Sequence, residues 1–416
     1  MMTRLGISRA RLAFILGGLA MFGPFSIDTM FPAFPSMEHD LGVDALAMQQ
    51  TISVYLFGYA LMSLMHGPIS DAVGRRRVIL SGIVVFIAAS IGSALAQTMP
   101  VMLMFRALQG LSAGVGLIVG RAVVRDALDG HDAQKLMSQI SMIFGVAPAI
   151  APVVGGWILG WSSWHMIFWF LAAFSVVLLL VTAFALPESH PPEKRLPLHP
   201  RVLLRGYENI LKNSRFRLLA LAGTANFGAL FLYISSAPAF VLKLLKLDNQ
   251  QFVLFFAPTI GGMVLGAFLS GRAAGRIHGQ RLANIGFAVG GIATAFNLGY
   301  NYFVPDPAFP WAIIPTALIA LGVALVFPIL TLAILDLYPN ARGSASSMQA
   351  FVGLLSNALI AGVLSALLSD SGWHLAVGAA IFSVSGFLLW RWYLHVAQRI
   401  PPDPVDSAAA LEPTQL

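Results

Sequence analysis

The chain has 416 residues, 57% hydrophobic and only 10% charged, with a formal charge of +7 and a mean hydropathy of +0.79. Soluble domains carry about a quarter charged residues, so this composition describes a chain solvated mainly by lipid. Its basic residues then report membrane sidedness, and nucleic acid is not an expected partner. With no cysteine, disulfides, thiolate metal sites and cysteine nucleophiles are excluded.

Arg4, Arg9 and Arg11 precede an apolar run at 12–35. The run is longer than a signal-peptide core of about 7–15 residues and lacks a small-residue cleavage site, so it reads as a retained first span. A helix needs about 20 mostly apolar residues to cross the hydrocarbon. Such runs predict twelve spans, at about 12–35, 48–69, 77–96, 99–121, 136–159, 164–186, 216–240, 252–274, 282–303, 311–334, 344–368 and 374–396. The runs do not alternate apolar and polar residues, which excludes a β-barrel.

Placing the N-terminus in the cytoplasm puts nearly every arginine inside, including Arg75–Arg77, Arg121, Arg125, Arg201, Arg205, Arg272, Arg276, Arg342 and Arg391. The outer loops then hold only Lys243 and Lys246, with Glu38, Asp40, Asp44, Asp248, Asp306 and Asp370. This is the positive-inside pattern, and both termini are expected in the cytoplasm. The expected organisation is a six-helix bundle over 1–186, a cytoplasmic linker over 187–215, a second six-helix bundle over 216–400 and a disordered tail over 401–416. The linker is proline-rich, then basic, and residues 201–213 fit either a short surface helix on anionic lipid or a solvated connection. Trp164-His165 and Trp373-His374 open spans 6 and 12, and GPISDAVGRRR after span 2 has a degraded counterpart, SGRAAGRIHGQR, after span 8. Both suggest an internal repeat.

The densest charged patch in the first 120 residues is Gly67-Pro68-x-Ser70-Asp71-x-x-Gly74-Arg75-Arg76. It resembles the helix 2–3 signature of the major facilitator superfamily. Asp28-x-x-x-Pro32-x-x-Pro35, Arg106-x-x-Gln109-Gly110 and Ala147-Pro148-x-x-Ala151-Pro152-x-x-Gly155-Gly156 resemble the helix 1, 4 and 5 motifs of bicyclomycin-resistance-type drug/proton antiporters. The resemblance implies two six-helix bundles and alternating access. It also implies that Asp71, with Gly67, Gly74, Arg75 and Arg76, gates the cytoplasmic side. Alanines stand at 147 and 151 where the family pattern has glycine, and His165 stands where relatives often have arginine.

The sharpest observation needs no family. Of the Lys, Arg, Asp and Glu residues, only Asp28 and Arg106 fall well inside the predicted spans. Such a charge costs about 2.5–3.5 kcal/mol by insertion scales unless it is paired or wet. Each lies about seven residues from the outer face, roughly 10 Å deep at 1.5 Å per residue. A buried carboxyl next to a cation or to water can gain and lose a proton as its surroundings move. Asp28 and Arg106 are therefore the expected proton-coupling residues, with one proton per cycle and no cofactor beyond the proton gradient. A static buried pair is the structural alternative. His66 and His165 lie near the interfaces and read as structural.

Gly145, Pro148, Pro152, Gly155 and Gly156 of span 5 read as bending or close-packing positions, and Gly110, Gly114, Gly116 and Gly120 of span 4 read the same way. Substrate contacts are expected near the midplane, from Tyr55, Tyr59, Gln109, Asn226, Tyr233, Asn297, Gln349 and Asn357. The second half has no membrane-depth charge, which suits lipophilic, weakly polar compounds.

The expectation is a monomeric, multi-pass transporter of the bacterial inner membrane that exchanges protons for small drug-like molecules. Export of an endogenous metabolite, such as an amino acid derivative or a siderophore, is the alternative on the same fold, followed by proton symport. A membrane enzyme would need clustered polar catalytic residues, and no P-loop, metal-ligand cluster or triad context appears in the sequence.

Overall fold

In hydrocarbon every backbone N–H and C=O must be satisfied within the protein, which restricts spanning segments to helices or closed barrels. The computed structural model, described for residues 6–128, 130–195, 197–273, 276–339 and 341–399, is helical, with no β-strand among those residues. The expected tail over 401–416 lies outside them. Among the described residues, twelve helices are long and apolar enough to cross a bilayer. Spans 1–6 are Arg9–Leu41, Ala45–Val73, Arg75–Ala94, Met99–Ala127, Lys135–Trp161 and His165–Ala185. Spans 7–12 are Ser214–Ser235, Phe252–Ala273, Gly279–Phe303, Ile314–Leu337, Arg342–Leu368 and Gly372–Gln398.

Two compact units result. The first comprises Met1–Leu198 together with Asp248–Phe256, and the second His199–Leu247 together with Ala257–Leu416. In the first, span 2 packs on span 4, span 3 on spans 4 and 6, and span 1 on span 5. In the second, span 7 packs on spans 10, 11 and 12, and span 9 on spans 10 and 12. The linker helix, Pro200–Lys212, belongs to the second unit and buries Tyr207 and Ile210, packing on span 11.

Span 1 is broken rather than straight. It runs as Arg9–Ala20 and Phe22–Asp28, then a short 3-10 turn at Phe31–Ala33, then Phe34–Leu41. Proline has no N–H to give to the carbonyl four residues back. Pro32 therefore withholds the helical bond from Asp28, and Pro35 withholds it from Phe31. The break falls at the D-x-x-x-P-x-x-P motif and leaves Asp28 at the end of a helical segment. Spans 4 and 11 contain π-helical turns at Val115–Val119 and Ile360–Leu364, and another, Ala239–Leu244, follows span 7. Such turns often accompany functional sites.

The two Trp-His pairs end in different settings. Trp164 is buried, donates from Nε1 to Asp40 at 2.9 Å and stacks on His165, whereas Trp373 is 38% exposed. The repeated sequence therefore places the two tryptophans in unlike environments.

Candidate functional site

The polar centre of the first unit is built on Arg106. This side chain is fully buried, so its donors must be met by protein. Nε donates to the Thr51 carbonyl at 3.1 Å. Nη1 donates to the Ser26 carbonyl at 3.0 Å, to Ser26 Oγ at 2.9 Å and to Gln109 Oε1 at 2.7 Å. The guanidinium carbon lies 4.5 Å from the centre of the Tyr55 ring, within cation–π range. Nη2 is buried with no hydrogen-bond partner. Gln109 passes the network on, donating from Nε2 to Ser90 Oγ at 2.8 Å, and Ser90 donates to the Phe86 carbonyl at 2.7 Å. Charge-assisted bonds of this kind contribute about 1.5–3 kcal/mol each.

Asp28 is 4% exposed and lies two residues beyond Ser26. The bonds from Arg106 to Ser26 bring the arginine close to the depth of the acid. Among the described residues, however, no ion pair joins Asp28 to Arg106. The static buried pair weighed from the sequence is not what the structure contains, because backbone and side-chain dipoles take up Nε and Nη1 of the guanidinium instead. Tyr55 and Tyr59 both lie on span 2 with ring centres 6.4 Å apart, edge to face. Only Tyr55 stacks on Arg106.

Glycines let the surrounding helices approach this centre. A β carbon on Gly110 would overlap the Tyr55 carbonyl, which brings span 4 against span 2 at the level of Arg106. In span 5, one on Gly155 would overlap the carbonyl of Thr29, the residue after Asp28. Gly156 meets the Asn249 carbonyl in the same way. Gly145 departs from the close-packing expectation, since nothing lies within 4 Å of a β carbon there. Pro148 and Pro152 sit inside the helix, where each lacks the N–H its turn would use. His66 is buried, and a β carbon on Gly114 would come within 2.8 Å of both His66 Nδ1 and Tyr59.

At the other end of span 2, the charged loop forms a second cluster. Arg75 is only 8% exposed, although the sequence places it in a loop. Its Nη1 lies 2.5 Å from both Asp71 Oδ1 and Ser70 Oγ, and its Nε lies 3.3 Å from Asp126 Oδ2. Asp126 also accepts from Ser189 Oγ at 2.8 Å. Glu188 caps the start of span 3, where its Oε1 accepts from the Arg75 N–H at 2.9 Å and the Arg76 N–H at 3.5 Å. A carboxylate suits a helix N-terminus, which has free N–H groups and a positive dipole end. Arg76 donates from Nη2 to the Ala183 carbonyl at 2.5 Å, near the end of span 6. Gly74 has φ +112°, and a β carbon there would lie 2.6 Å from Glu188 Oε2. Gly67 has open space around it. Sequence reasoning missed Asp126 and Glu188. Their acidic character was visible, but they lie 51 and 113 residues from Arg75 in the chain, and only folding brings them to its loop.

In the second unit, the predicted polar residues divide. Asn297 donates from Nδ2 to the Tyr233 hydroxyl at 2.8 Å, and Asn301 Nδ2 donates to Asn297 Oδ1 at 3.0 Å. Tyr233, Asn297 and Asn301 are all buried, and Asn301 was not among the expected residues. Gln349 donates to Thr331 Oγ1 at 2.9 Å. Asn226 is buried on span 7, where the backbone of Gly386 approaches its N–H, and Asn357 Oδ1 is buried with no partner. Asn226, Gln349 and Asn357 are not bonded into the Tyr233–Asn297–Asn301 group.

Residues 14–361 match the Major Facilitator Superfamily. The chain belongs to that superfamily. The transporter is 33% identical to "Uncharacterized MFS-type transporter YdgK" of Bacillus subtilis (strain 168), over 85% of this chain and 88% of the relative. It is 27% identical to the bicyclomycin resistance protein homolog of Haemophilus influenzae, over 66% and 69% of the two chains. It is 26% identical to multidrug resistance protein D of Escherichia coli (strain K12), over 92% and 94%. Among solved structures, the human organic anion transporter MFSD10 (TETRAN) matches with a TM-score of 0.69 at 18% identity, covering 93% of this chain and 99% of that one. A crystal structure of a D-xylose–proton symporter matches with a TM-score of 0.69 at 15% identity, over 92% and 96%. At these identities the structures establish the fold alone, and membership of the family makes the chain a multi-pass membrane transporter.

Proposed function

We propose that this transporter is a proton-coupled antiporter of the bacterial inner membrane, with both termini cytoplasmic, which exports small lipophilic or weakly polar drug-like molecules by alternating access. The observation that carries the proton-coupling part is Asp28. It is a buried carboxyl at the break in span 1, two residues from Ser26, which accepts from a guanidinium that is held by dipoles instead of by the acid. Ionisation of a carboxyl in such a place is tied to the arrival of water or a cation, so loading and unloading a proton there requires rearrangement around the broken helix. Gly155 of span 5 lies against the residue next to Asp28. A shift of span 5 would therefore be felt at the acid. The Asp71–Arg75–Asp126 cluster, capped by Glu188, acts as the gate at the cytoplasmic end.

Support for a drug-like cargo comes from the names of the bicyclomycin- and multidrug-resistance relatives, and from a second unit whose described polar groups are neutral amides and hydroxyls at membrane depth. The test is transport in proteoliposomes under an imposed pH gradient. Asp28→Asn should abolish gradient-driven accumulation while leaving substrate counterflow measurable. Coupled transport at the wild-type rate would remove Asp28 as the proton carrier.

A further inference from the structure

A cavity of about 450 Å³ opens where the start of span 1, the start of span 3 and the end of span 6 meet. It lies within the first unit, away from the Arg106 centre, and its size falls in the range of small-molecule sites. Arg11, Arg76, Glu188 and the last turn of span 6 around Ala183 and Phe184 line it.

The charges of this lining are unevenly committed. Glu188 directs Oε1 to the N–H groups of Arg75 and His190, at 2.9 and 3.0 Å, so much of its negative charge is offset by the N-terminus of span 3. Arg76 uses Nη2 on the Ala183 carbonyl, while its Nε is buried with no acceptor. Arg11 is exposed and has no ion pair among the described residues. Its neighbour Arg9, by contrast, is bound to Asp132 at 2.7 Å. Among the described lining residues, two arginines thus stand beside a single carboxylate that is already engaged at the start of span 3, and planar guanidinium forks suit phosphate oxygens.

The depth of the cavity narrows the choice of anion. All three helices begin or end here, which places the cavity at the boundary between hydrocarbon and water. Phe184 is 88% exposed and Phe14, one turn beyond Arg11, is 67% exposed. Exposed aromatic rings at the end of a span belong against acyl chains. We propose that this cavity is a binding site for an anionic phospholipid, with the phosphodiester held by Arg11 and Arg76 and the acyl chains lying along Phe14 and Phe184.

The test uses the purified full chain in detergent, so it depends neither on the transport reading nor on which side of the membrane the cavity faces. Native mass spectrometry and thermal unfolding would be followed while adding phosphatidylglycerol, phosphatidylethanolamine with the same acyl chains, or glycerol 3-phosphate. Phosphatidylglycerol should bind at one preferred site and raise the melting temperature. Arg11→Ser should weaken that binding about tenfold, as expected for loss of about 1.4 kcal/mol, with partial recovery in Arg11→Lys. Arg217→Ser, an exposed arginine in the other unit, should leave it unchanged. Equal binding of phosphatidylethanolamine would overturn the anionic assignment, and equal binding of glycerol 3-phosphate would make the site one for soluble phosphates. An Arg217→Ser effect as large as that of Arg11→Ser, or no effect of Arg11→Ser, would overturn the site altogether.

Discussion

Gly74→Ala is the substitution that interrogates the Asp71–Arg75–Asp126 cluster most directly. At φ +112° and ψ 144° the backbone occupies a region open essentially to glycine, and an L side chain there costs about 1–3 kcal/mol. The added β carbon would also lie 2.6 Å from Glu188 Oε2 and 2.9 Å from Arg195 Nη2. Relief of that overlap moves Glu188 off the start of span 3, and loss of a helix cap costs about 0.5–2 kcal/mol. Together these predict about 1.5–5 kcal/mol against the observed loop, or about a 10- to 4,000-fold shift away from it at 1.4 kcal/mol per decade. The assay is thermal unfolding of the purified protein in detergent alongside transport turnover, in a cycle with Glu188→Ala. Gly74→Ala should lower both stability and turnover. Its penalty should shrink in the Glu188→Ala background by the capping part, leaving the backbone part. Wild-type stability in Gly74→Ala, or an undiminished penalty without Glu188, would refute the reasoning.

Other consequences can be checked with single substitutions. Arg106→Ala removes the centre that joins Ser26, Thr51 and Gln109, and should shift the pH dependence of substrate binding. An identical pH profile would reduce Arg106 to a structural residue. Asp71→Asn and Asp126→Asn each leave Arg75 with one carboxylate, and each should slow turnover while sparing substrate affinity. If affinity vanished with either, the cluster would not be a gate. Tyr233→Phe strands the Nδ2 donor of Asn297, and a buried unsatisfied group costs about 1–3 kcal/mol. Thermal unfolding should report that loss, with most of it recovered in Tyr233→Phe/Asn297→Leu. Unchanged stability with weakened substrate binding would instead make Tyr233 a substrate contact.

The predicted span ranges largely coincide with the helices, because about 20 apolar residues have no other way to satisfy their backbone in lipid. The chief difference is span 1, where the apolar run gives one span at 12–35 and the structure has broken segments within Arg9–Leu41. The cause was already written in Pro32 and Pro35.

Composition and the spacing of apolar runs determined by themselves that this chain is a helical membrane protein with twelve spans. The rarity of charge inside those runs singled out Asp28 and Arg106, since local hydropathy alone makes such residues conspicuous. Tertiary structure decided what those residues touch. Arg106 turned to Ser26, Thr51, Gln109 and Tyr55 instead of to Asp28, because neutral dipoles from spans 1, 2 and 4 converge there, and an isolated serine or a backbone carbonyl leaves no mark in a sequence. It likewise brought Asp126 and Glu188 to the Gly74–Arg76 turn. Contacts between residues so distant in the chain arise from helix packing, which the local pattern of residues does not encode.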